Sequence, residues 1–300
     1  MANGILIVDK PAGWTSQDVA AKLRGVFREK RVGHGGTLDP MATGVLPIFV
    51  GRATRAVPFF EHADKVYEAV LRLGLVTDTQ DVTGRILEER PVDITSEQLE
   101  AVLLRFRGEI DQIPPMYSAI KVNGQKLYAL ARKGQEIERE PRRITIFSLE
   151  QLHECRDKHC LSAVEVPPFE IPLRIHCSKG TYVRTLCHDI GAALGCGGCM
   201  AALRRTRAGR YDLAQAHTMD EILAAADPEA LLLPVDSLFS DRPALTVAEA
   251  AEAKLRNGAP LRTPRLADGE YRVYSQSGEF LLLAAVKTGE LITVKSFFEV

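Results

Sequence analysis

The chain contains Gly33-His-Gly-Gly-Thr-Leu-Asp-Pro-Met-Ala-Thr-Gly-Val-Leu-Pro47, where glycines and turn-forming residues surround a single carboxylate, Asp39. The glycines before this aspartate and the proline after it predict a rigid loop that leads into a short helix or strand. A carboxylate held in this way is ionised at neutral pH and suits nucleophilic or base chemistry. An Asx turn or a helix cap would explain the same spacing, so the loop alone leaves both interpretations open.

Strands and helices are intermixed on both sides of this loop. Apolar runs and alternation predict strands, spacings of three and four predict helices, and Asn123-Gly124 predicts a hairpin turn. Because there is no regular βαβ repeat, the pattern favours an α+β fold with a mainly antiparallel central sheet. The predicted strands are Gly4–Val8, Val66–Leu75, Ile144–Leu152, Leu161–Val166 and Ile171–Cys177, and the predicted helices are Thr15 or Ser16 to Phe27, Ser96–Phe106, Leu127–Arg132 and Thr181–Leu194.

Length and composition indicate a folded protein with one large domain and a small appendage. The 300 residues contain 46% hydrophobic and 26% charged residues, which excludes disordered and low-complexity classes. A change in composition near Ser240 to Pro243 predicts a boundary, with residues 1–242 in the main domain. Residues 243–300 contain short strands between glycine-bearing turns and predict a small barrel-like domain.

The overall charge gives no sign of a polybasic protein. The formal net charge is -1, from 38 basic and 39 acidic residues, so any nucleic-acid surface has to come from local clusters. Two clusters are candidates for phosphate contacts, Lys22–Arg31 and Leu203–Arg210, and the second includes Arg204 and Arg205. The apolar runs are too short for a signal peptide or a membrane span, so we expect a cytoplasmic protein with no membrane association.

Six cysteines raise the question of a metal site. His153-Glu-Cys-Arg-Asp-Lys-His-Cys160 and the Cys196/Cys199 pair supply the thiols and imidazoles that zinc prefers. Close packing of small residues explains the second cluster equally well, and we expect no metal and no disulfide. The sequence also lacks GxxxxGK[ST], GxGxxG after a strand, and HExxH, which argues against nucleotide hydrolysis, nicotinamide chemistry and a zinc protease.

Four further side chains are candidates for a site around Asp39. Arg184 is a natural partner for a buried carboxylate because its guanidinium stays charged and can bind both oxygens. Tyr67 and Tyr182 offer flat faces to a nucleobase, although a single tyrosine of this kind is more often a core residue. His34 is suited to stacking or to a backbone hydrogen bond.

Five segments, in order along the chain, resemble the TruB family of tRNA pseudouridine-55 synthases. The first is the stretch around Asp39, followed by Gly51-Arg-Ala-Thr54. The match extends from about Gly4 to Arg210, whereas the tail is only loosely similar to the small PUA RNA-binding barrel. The other segments are Leu6-Ile-Val-Asp-Lys-Pro11, Thr77-Asp-Thr-Gln-Asp81, Gln112-Ile-Pro-Pro-Met-Tyr-Ser-Ala-Ile-Lys121 and His176-Cys-Ser-Lys-Gly-Thr-Tyr-Val-Arg-Thr185.

This resemblance implies a pseudouridine synthase fold and isomerisation of the uridine at position 55 in the tRNA T loop, with no cofactor or metal. Asp39 matches the catalytic aspartate, Tyr67 the tyrosine that stacks on the target base, and Arg184 the arginine paired with the aspartate. The remaining matches are substrate-contacting positions at His34, Tyr182 and Leu203, a carboxylate near the site at Asp81, and a segment supporting the catalytic loop at Lys10 and Pro11.

Several alternatives stay open at this level. Asp39 could attack C1′ of the ribose, attack C6 of the base, or remove the 2′ proton. The protein could instead be a tRNA-binding folding helper or a guide-RNA-dependent relative that acts in a multi-protein particle. We expect a stand-alone enzyme that binds the tRNA T stem-loop as a monomer and requires no protein partner.

Overall fold

Ten strands form one sheet within residues 1–118, 120–122, 124–152 and 169–299, which are the residues that this computed structural model describes. Two short hairpins, β5/β6 and β8/β9, lie outside that sheet. The first fourteen strands are β1 (Gly4–Lys10), β2 (Val32–His34), β3 (Thr43–Val50), β4 (Lys65–Leu73), β5 (Leu75–Thr77), β6 (Ile86–Glu89), β7 (Gly108–Gln112), β8 (Lys121–Val122), β9 (Gln125–Lys126), β10 (Arg142–Gln151), β11 (Glu170–Cys177), β12 (Gly198–Ala208), β13 (Tyr211–Asp212) and β14 (His217–Thr218).

The strand order is β14-β1-β3-β12-β4-β11-β10-β7, with β2 paired to β3 and β13 paired to β12. Among the described pairs of this sheet, only β1/β14 and β3/β12 are parallel. The predicted α+β class with a mainly antiparallel sheet is therefore confirmed. The helices are α1 (Ser16–Phe27), α2 (Val57–Phe60), α3 (Ser96–Arg105), α4 (Leu127–Ala131), α5 (Val183–Ala193), α6 (Met219–Ala224) and α7 (Glu249–Arg256), and the 3-10 turns are Gly51–Ala56, Leu213–Gln215, Pro228–Leu231 and Val235–Phe239.

The elements that flank the Asp39 loop follow the sequence pattern closely. Thr15 caps α1 in a capping box with Asp18, and the apolar stripe of this helix, including Val19 and Leu23, is buried. The predicted hairpin at Asn123-Gly124 is confirmed by the pairing of β8 with β9. The predicted strand Leu161–Val166 and the His/Cys segment at 153–160 lie outside the described residues.

Residues 244–296 form a second, five-stranded sheet in the order β15-β17-β18-β19-β16. This sheet packs onto the main core through aromatic side chains. Phe239 packs against both Phe280 and Phe297, at ring-centroid distances of 6.2 and 5.9 Å. The strands are β15 (Ala244–Thr246), β16 (Leu261–Arg262), β17 (Gly269–Tyr274), β18 (Phe280–Lys287) and β19 (Glu290–Ser296).

The topology places the sequence candidates at the middle of the large sheet. The loop before β3 carries Asp39, and β3 lies next to β12, which in turn pairs with β4. Helix α5, which carries Arg184, packs against β12. Within the described residues, no helix is long and apolar enough to span a membrane.

Candidate active site

The loop that carries Asp39 is anchored by the N-terminal segment. The ammonium of Lys10, at the end of β1, is fully buried. It donates hydrogen bonds to the carbonyl oxygens of Pro11 (2.9 Å), Trp14 (2.6 Å) and Pro40 (3.3 Å). Pro40 directly follows the aspartate, so these bonds tie the carboxylate-bearing turn to β1. The predicted supporting position of Lys10 is consistent with this arrangement.

A second anchor comes from the start of α1. The hydroxyl of Ser16 accepts a hydrogen bond from the backbone amide of Leu38 (2.8 Å) and donates one to the carbonyl of the same residue (3.2 Å). The sequence left open whether Thr15 or Ser16 caps the helix. Since Thr15 makes the cap, Ser16 is available to hold the residue immediately before Asp39.

Arg184 binds the carboxylate through both of its oxygens. Its Nε lies 2.8 Å from Asp39 Oδ2, and its Nη2 donates to Oδ1 at 3.3 Å. The Asp39 side chain is 34% exposed, whereas that of Arg184 is 7% exposed. The guanidinium is held from behind by the carbonyls of Thr79 (3.1 Å) and Tyr117 (2.8 Å). The carboxylate is thus open to a substrate on one side and charge-paired on the other.

Asp81 completes the support for this arginine. Its Oδ2 lies 3.8 Å from Arg184 Nη1, and its Oδ1 accepts hydrogen bonds from Thr79 and from the amide and hydroxyl of Thr83. The neighbouring Gln80 has a left-handed backbone (φ 63°) and accepts a hydrogen bond from the Thr185 hydroxyl at 2.7 Å. Asp81 therefore lies beneath the ion pair and is 5% exposed.

Tyr67 and Leu203 lie on one face of the sheet beside the Asp39 loop. Tyr67 on β4 pairs across the ladder with Arg205 on β12, and Ala69 pairs with Leu203 two positions along. Both Tyr67 and Leu203 are more than nine-tenths buried and belong to the core that also contains Leu38. Burial raises the pKa of the Tyr67 hydroxyl, so the phenol is neutral at physiological pH.

His34 and Tyr182 are both half-buried and occupy the ends of two elements. His34 ends β2, its Nδ1 is buried without a hydrogen-bond partner, and burial lowers its pKa. Tyr182 is the residue before α5, and its backbone amide and carbonyl are both bound by the side chain of Gln112 (2.8 and 3.1 Å). Burial raises the pKa of the Tyr182 hydroxyl, whose charged neighbours include Asp39.

The predicted phosphate contacts of Arg204 and Arg205 need correction. Arg205 is 1% exposed, because strand alternation turns it onto the same face as Tyr67. Arg204 points to the other side, where Asp9 binds it through two hydrogen bonds of 3.0 and 2.7 Å. The basic run Leu203–Arg210 belongs largely to a central strand, where Arg204 and Arg205 are bound within the fold. Arg207 is 42% exposed and paired with Asp64, and Arg210 is exposed.

Buried cations dominate the electrostatics around the loop. Burial lowers the pKa of Lys10 to about 8, and the nearby Asp39 opposes that shift. Lys65, on the same strand as Tyr67, is also lowered to about 8 by burial. Such shifts follow from placing a charged amine away from water. Both lysine ammonium groups therefore lose their proton at a lower pH than an exposed lysine does.

Some supporting residues were not singled out from the sequence. The guanidinium of Arg184 is bound by the backbone carbonyls of Thr79 and Tyr117, and the backbone of Tyr182 is bound by the side chain of Gln112. Such contacts join residues far apart along the chain, so no local pattern predicts them. In the part of the chain that is described, no three His, Cys, Asp or Glu side chains are close enough to hold a metal ion. The described cysteines, which are free and buried, are Cys177, Cys187, Cys196 and Cys199.

Comparisons with known proteins now decide the family. The model of the TruB family pseudouridylate synthase N-terminal domain matches residues 24–183, and that of the tRNA pseudouridylate synthase B C-terminal domain matches residues 184–240. The chain belongs to the TruB family. It is 45% identical over 293 residues to tRNA pseudouridine synthase B of Azoarcus sp. (strain BH72), covering 97% of this chain and 93% of that protein. Against the same enzyme of Pseudomonas aeruginosa (strain UCBPP-PA14) the identity is 44%, covering 95% and 92%.

Solved structures with the same fold support the architecture of this TruB-family chain. A chain from a Cbf5-Nop10-Gar1 complex superposes with a TM-score of 0.71 at 24% identity, covering 99% of this chain and 85% of that one. A chain from an H/ACA RNP bound to a substrate RNA containing 2'-deoxyuridine gives 0.71 at 23% identity, covering 99% and 86%. The pseudouridine synthase fold expected from the sequence is thereby confirmed.

Pseudouridylate synthases are isomerases, so this member of the TruB family is an enzyme. The arrangement around Asp39 suits such chemistry. The charged carboxylate of Asp39 is partly exposed, the buried guanidinium of Arg184 lies behind it, and the neutral phenol of Tyr67 lies beside it. A charged group fixed in this way acts on a substrate with little reorganisation, which is the main source of electrostatic catalysis.

Proposed function

We propose that this enzyme converts uridine to pseudouridine at position 55 in the T loop of tRNA, with Asp39 as the catalytic carboxylate. The observation that carries the proposal is the two-point ion pair between the accessible Asp39 and the buried Arg184. A guanidinium that binds both oxygens favours the charged carboxylate and fixes its orientation. Family membership supports the reaction class, and the geometry supports the residue.

The substrate base has to leave the folded RNA before it can react. Extruding a nucleotide costs roughly a few kcal/mol, and stacking in the pocket offsets part of that cost. Tyr67 offers the aromatic face and Leu203 the apolar wall, since both lie on the same sheet face beside the loop. His34 and Tyr182 contact the flipped nucleotide or the strand next to it, and Asp81 keeps Arg184 in place.

The isomerisation is internally balanced. The bond between N1 and C1′ breaks, the uracil turns, C5 bonds to C1′, the proton on C5 is released, and N1 takes up a proton. No electrons or groups come from a second substrate. Asp39 attacks C1′, attacks C6, or removes the 2′ proton, and its fixed position beside the neutral Tyr67 is compatible with each route.

We further propose that residues 243–300 are an RNA-binding domain of PUA type and that the enzyme acts alone, as a cytoplasmic monomer without a protein partner. The five-stranded sheet carries exposed basic side chains, including Arg262 and Lys287, which both pair across the ladder with Glu290. Replacing both basic residues by glutamine is expected to weaken tRNA binding and leave the single-turnover rate at saturation unchanged. If the double variant bound tRNA as tightly as wild type, the proposed RNA contact of this domain would be wrong.

The decisive experiment uses an unmodified tRNA transcript that carries tritium at uracil C5. Purified wild-type protein, with no other RNA or protein present, is expected to release tritium and to place pseudouridine at position 55. A transcript with cytidine at position 55 serves as the control and is expected to release none from that position. Tight RNA binding without release would favour a folding helper or a requirement for a guide RNA and partner proteins, and the proposed activity would be wrong.

A further inference from the structure

The burial of Arg205 rules out its predicted phosphate contact and leaves its role at the site unexplained. Its side chain is almost completely buried, yet within the described ranges no carboxylate lies within 4.0 Å of its guanidinium. Burying a cation costs free energy unless its donors are satisfied. Its Nε and Nη2 atoms donate to backbone carbonyl oxygens. The role of the buried guanidinium therefore depends on the groups to which it donates hydrogen bonds.

Those partners bracket Asp39. Nε donates to the carbonyl of Val45 at 2.7 Å, and Nη2 donates to the carbonyl of Gly36 at 3.1 Å. Gly36 lies three residues before the aspartate and Val45 six residues after it. Tyr67 is the cross-strand neighbour of Arg205, and the positive charge of Arg205 opposes the rise that burial causes in the pKa of Tyr67. One rigid, planar group thus joins both ends of the Asp39 loop and lies beside the phenol of Tyr67.

The backbone around Arg205 allows little movement. Arg205 pairs with Gly44 where β12 and β3 run parallel. A Cβ atom on Gly44, which has φ +99°, would lie only 2.2 Å from the carbonyl oxygen of Arg205. The strands are therefore in close contact at the same point where the side chain binds the loop, so the loop cannot shift relative to β12 without breaking these bonds.

We propose that Arg205 is a positioning residue that holds the Asp39 loop in one fixed geometry against β12, next to Tyr67. This inference rests on the proposed function, because the reaction supplies its readout. Arginine suits this task and lysine does not, since the planar guanidinium directs separate N–H groups to the two carbonyls at once. Its positive charge also lowers the pKa of His34 and of Lys10, which places the same group within range of both ends of the site.

The test compares Arg205→Lys with Arg72→Gln, which removes an arginine elsewhere on the same sheet. Arg72 lies on β4, is paired with Glu170 and is part of no proposed contact with RNA. For Arg205→Lys we expect a single-turnover rate reduced roughly 30-fold with an RNA Kd within about twofold, because small displacements of a reacting group have large effects on rate. Arg72→Gln is expected to match wild type in both quantities.

Hydrogen exchange separates positioning from general loss of stability. In Arg205→Lys, amides of residues 36–42 are expected to exchange faster than in wild type while those of β1 and α5 do not. Uniformly faster exchange, a rate equal to wild type, or the failure of both Arg205→Lys and Arg205→Gln to fold would overturn the proposal and leave Arg205 a structural residue. Inactive wild-type protein would instead refute the proposed function, so the two failures are distinct.

Discussion

Replacing Asp39 by asparagine keeps the shape of the side chain and removes its charge. In the native pair, Arg184 makes two charge-assisted bonds of 2.8 and 3.3 Å to the carboxylate. The amide oxygen of asparagine retains one of them as a weaker bond, whereas its NH2 group faces a donor and loses the other. Charge-assisted hydrogen bonds contribute about 1.5–3 kcal/mol and neutral ones about 0.5–1.5 kcal/mol. Because Asp39 is partly exposed, the expected loss in unfolding free energy is only about 2 kcal/mol.

That loss is small beside the expected effect on catalysis. For a chain of this length, about 2 kcal/mol lowers Tm by about 3 °C, and a domain of ordinary stability stays folded. The reacting carboxylate itself is gone, so we expect product formation to fall by more than about 10⁴-fold, equivalent to more than about 5 kcal/mol of transition-state stabilisation. Binding of the unmodified tRNA should stay within about threefold of wild type, because the charge acts mainly on the reacting atoms.

The assay is tritium release under single-turnover conditions, with Tm and Kd measured on the same preparation. Asp111→Asn is the matched control, because Asp111 forms a similar two-point pair with Arg143 at 2.7 and 3.2 Å on an exposed part of the sheet. It should change Tm by less than 1 °C and leave the rate unaltered. Turnover by Asp39→Asn within tenfold of wild type would refute the role given to Asp39.

Three further outcomes follow from the loop anchors. Activity should fall as pH rises through about 8, because burial lowers the pKa of Lys10 to about 8 and a neutral amine can donate only two of the three hydrogen bonds to carbonyl oxygens. If the pH–rate profile of Lys10→Arg still showed this fall in activity, a group other than Lys10 would be its cause. Ser16→Ala and Thr15→Ala should each cost about 1–2 kcal/mol in chemical denaturation, but only Ser16→Ala should slow turnover, since only Ser16 binds the loop. Gly44→Ala should lower the free energy of unfolding by more than about 3 kcal/mol, measured by thermal melting. In the same measurement, Gly25→Ala should raise the free energy of unfolding by about 0.5–1 kcal/mol, because no neighbouring atom lies within 4 Å of the new methyl group.

Local pattern was sufficient wherever neighbouring residues decide the conformation. The apolar stripe of α1 and the hairpin that pairs β8 with β9 each depend on a few consecutive residues, and both were predicted. The cap of α1 was narrowed to Thr15 or Ser16, and the structure assigns it to Thr15. The face of β4 that carries Tyr67 also follows from alternation, because successive side chains on a strand point to opposite sides. Local pattern made Asp39 and Arg184 candidates only, and the family resemblance joined them as a pair.

The arginines of Leu203–Arg210 show where local pattern fails. A run with four arginines and no acidic residue is typical of a phosphate-binding surface. The local sequence does not show which distant residues surround these arginines in the fold. In the fold, this run lies between β3 and β4, and the strand's alternation turns Arg205 inward and Arg204 toward Asp9. Burial of a charged side chain depends on which distant carbonyls or carboxylates surround it.

The sequence by itself determined the fold class and the loop that carries Asp39, because these depend on short segments with strong local preferences, and the family resemblance pointed to the candidate pair of Asp39 and Arg184. The tertiary structure alone decided how the pair is supported. Lys10 and Ser16 lie far along the chain from Asp81 and from Arg205, and the four residues meet around Asp39 only because β3, β12 and β4 are adjacent and α5 packs against β12 and β4. Such contacts arise from packing between distant segments, which no local pattern encodes.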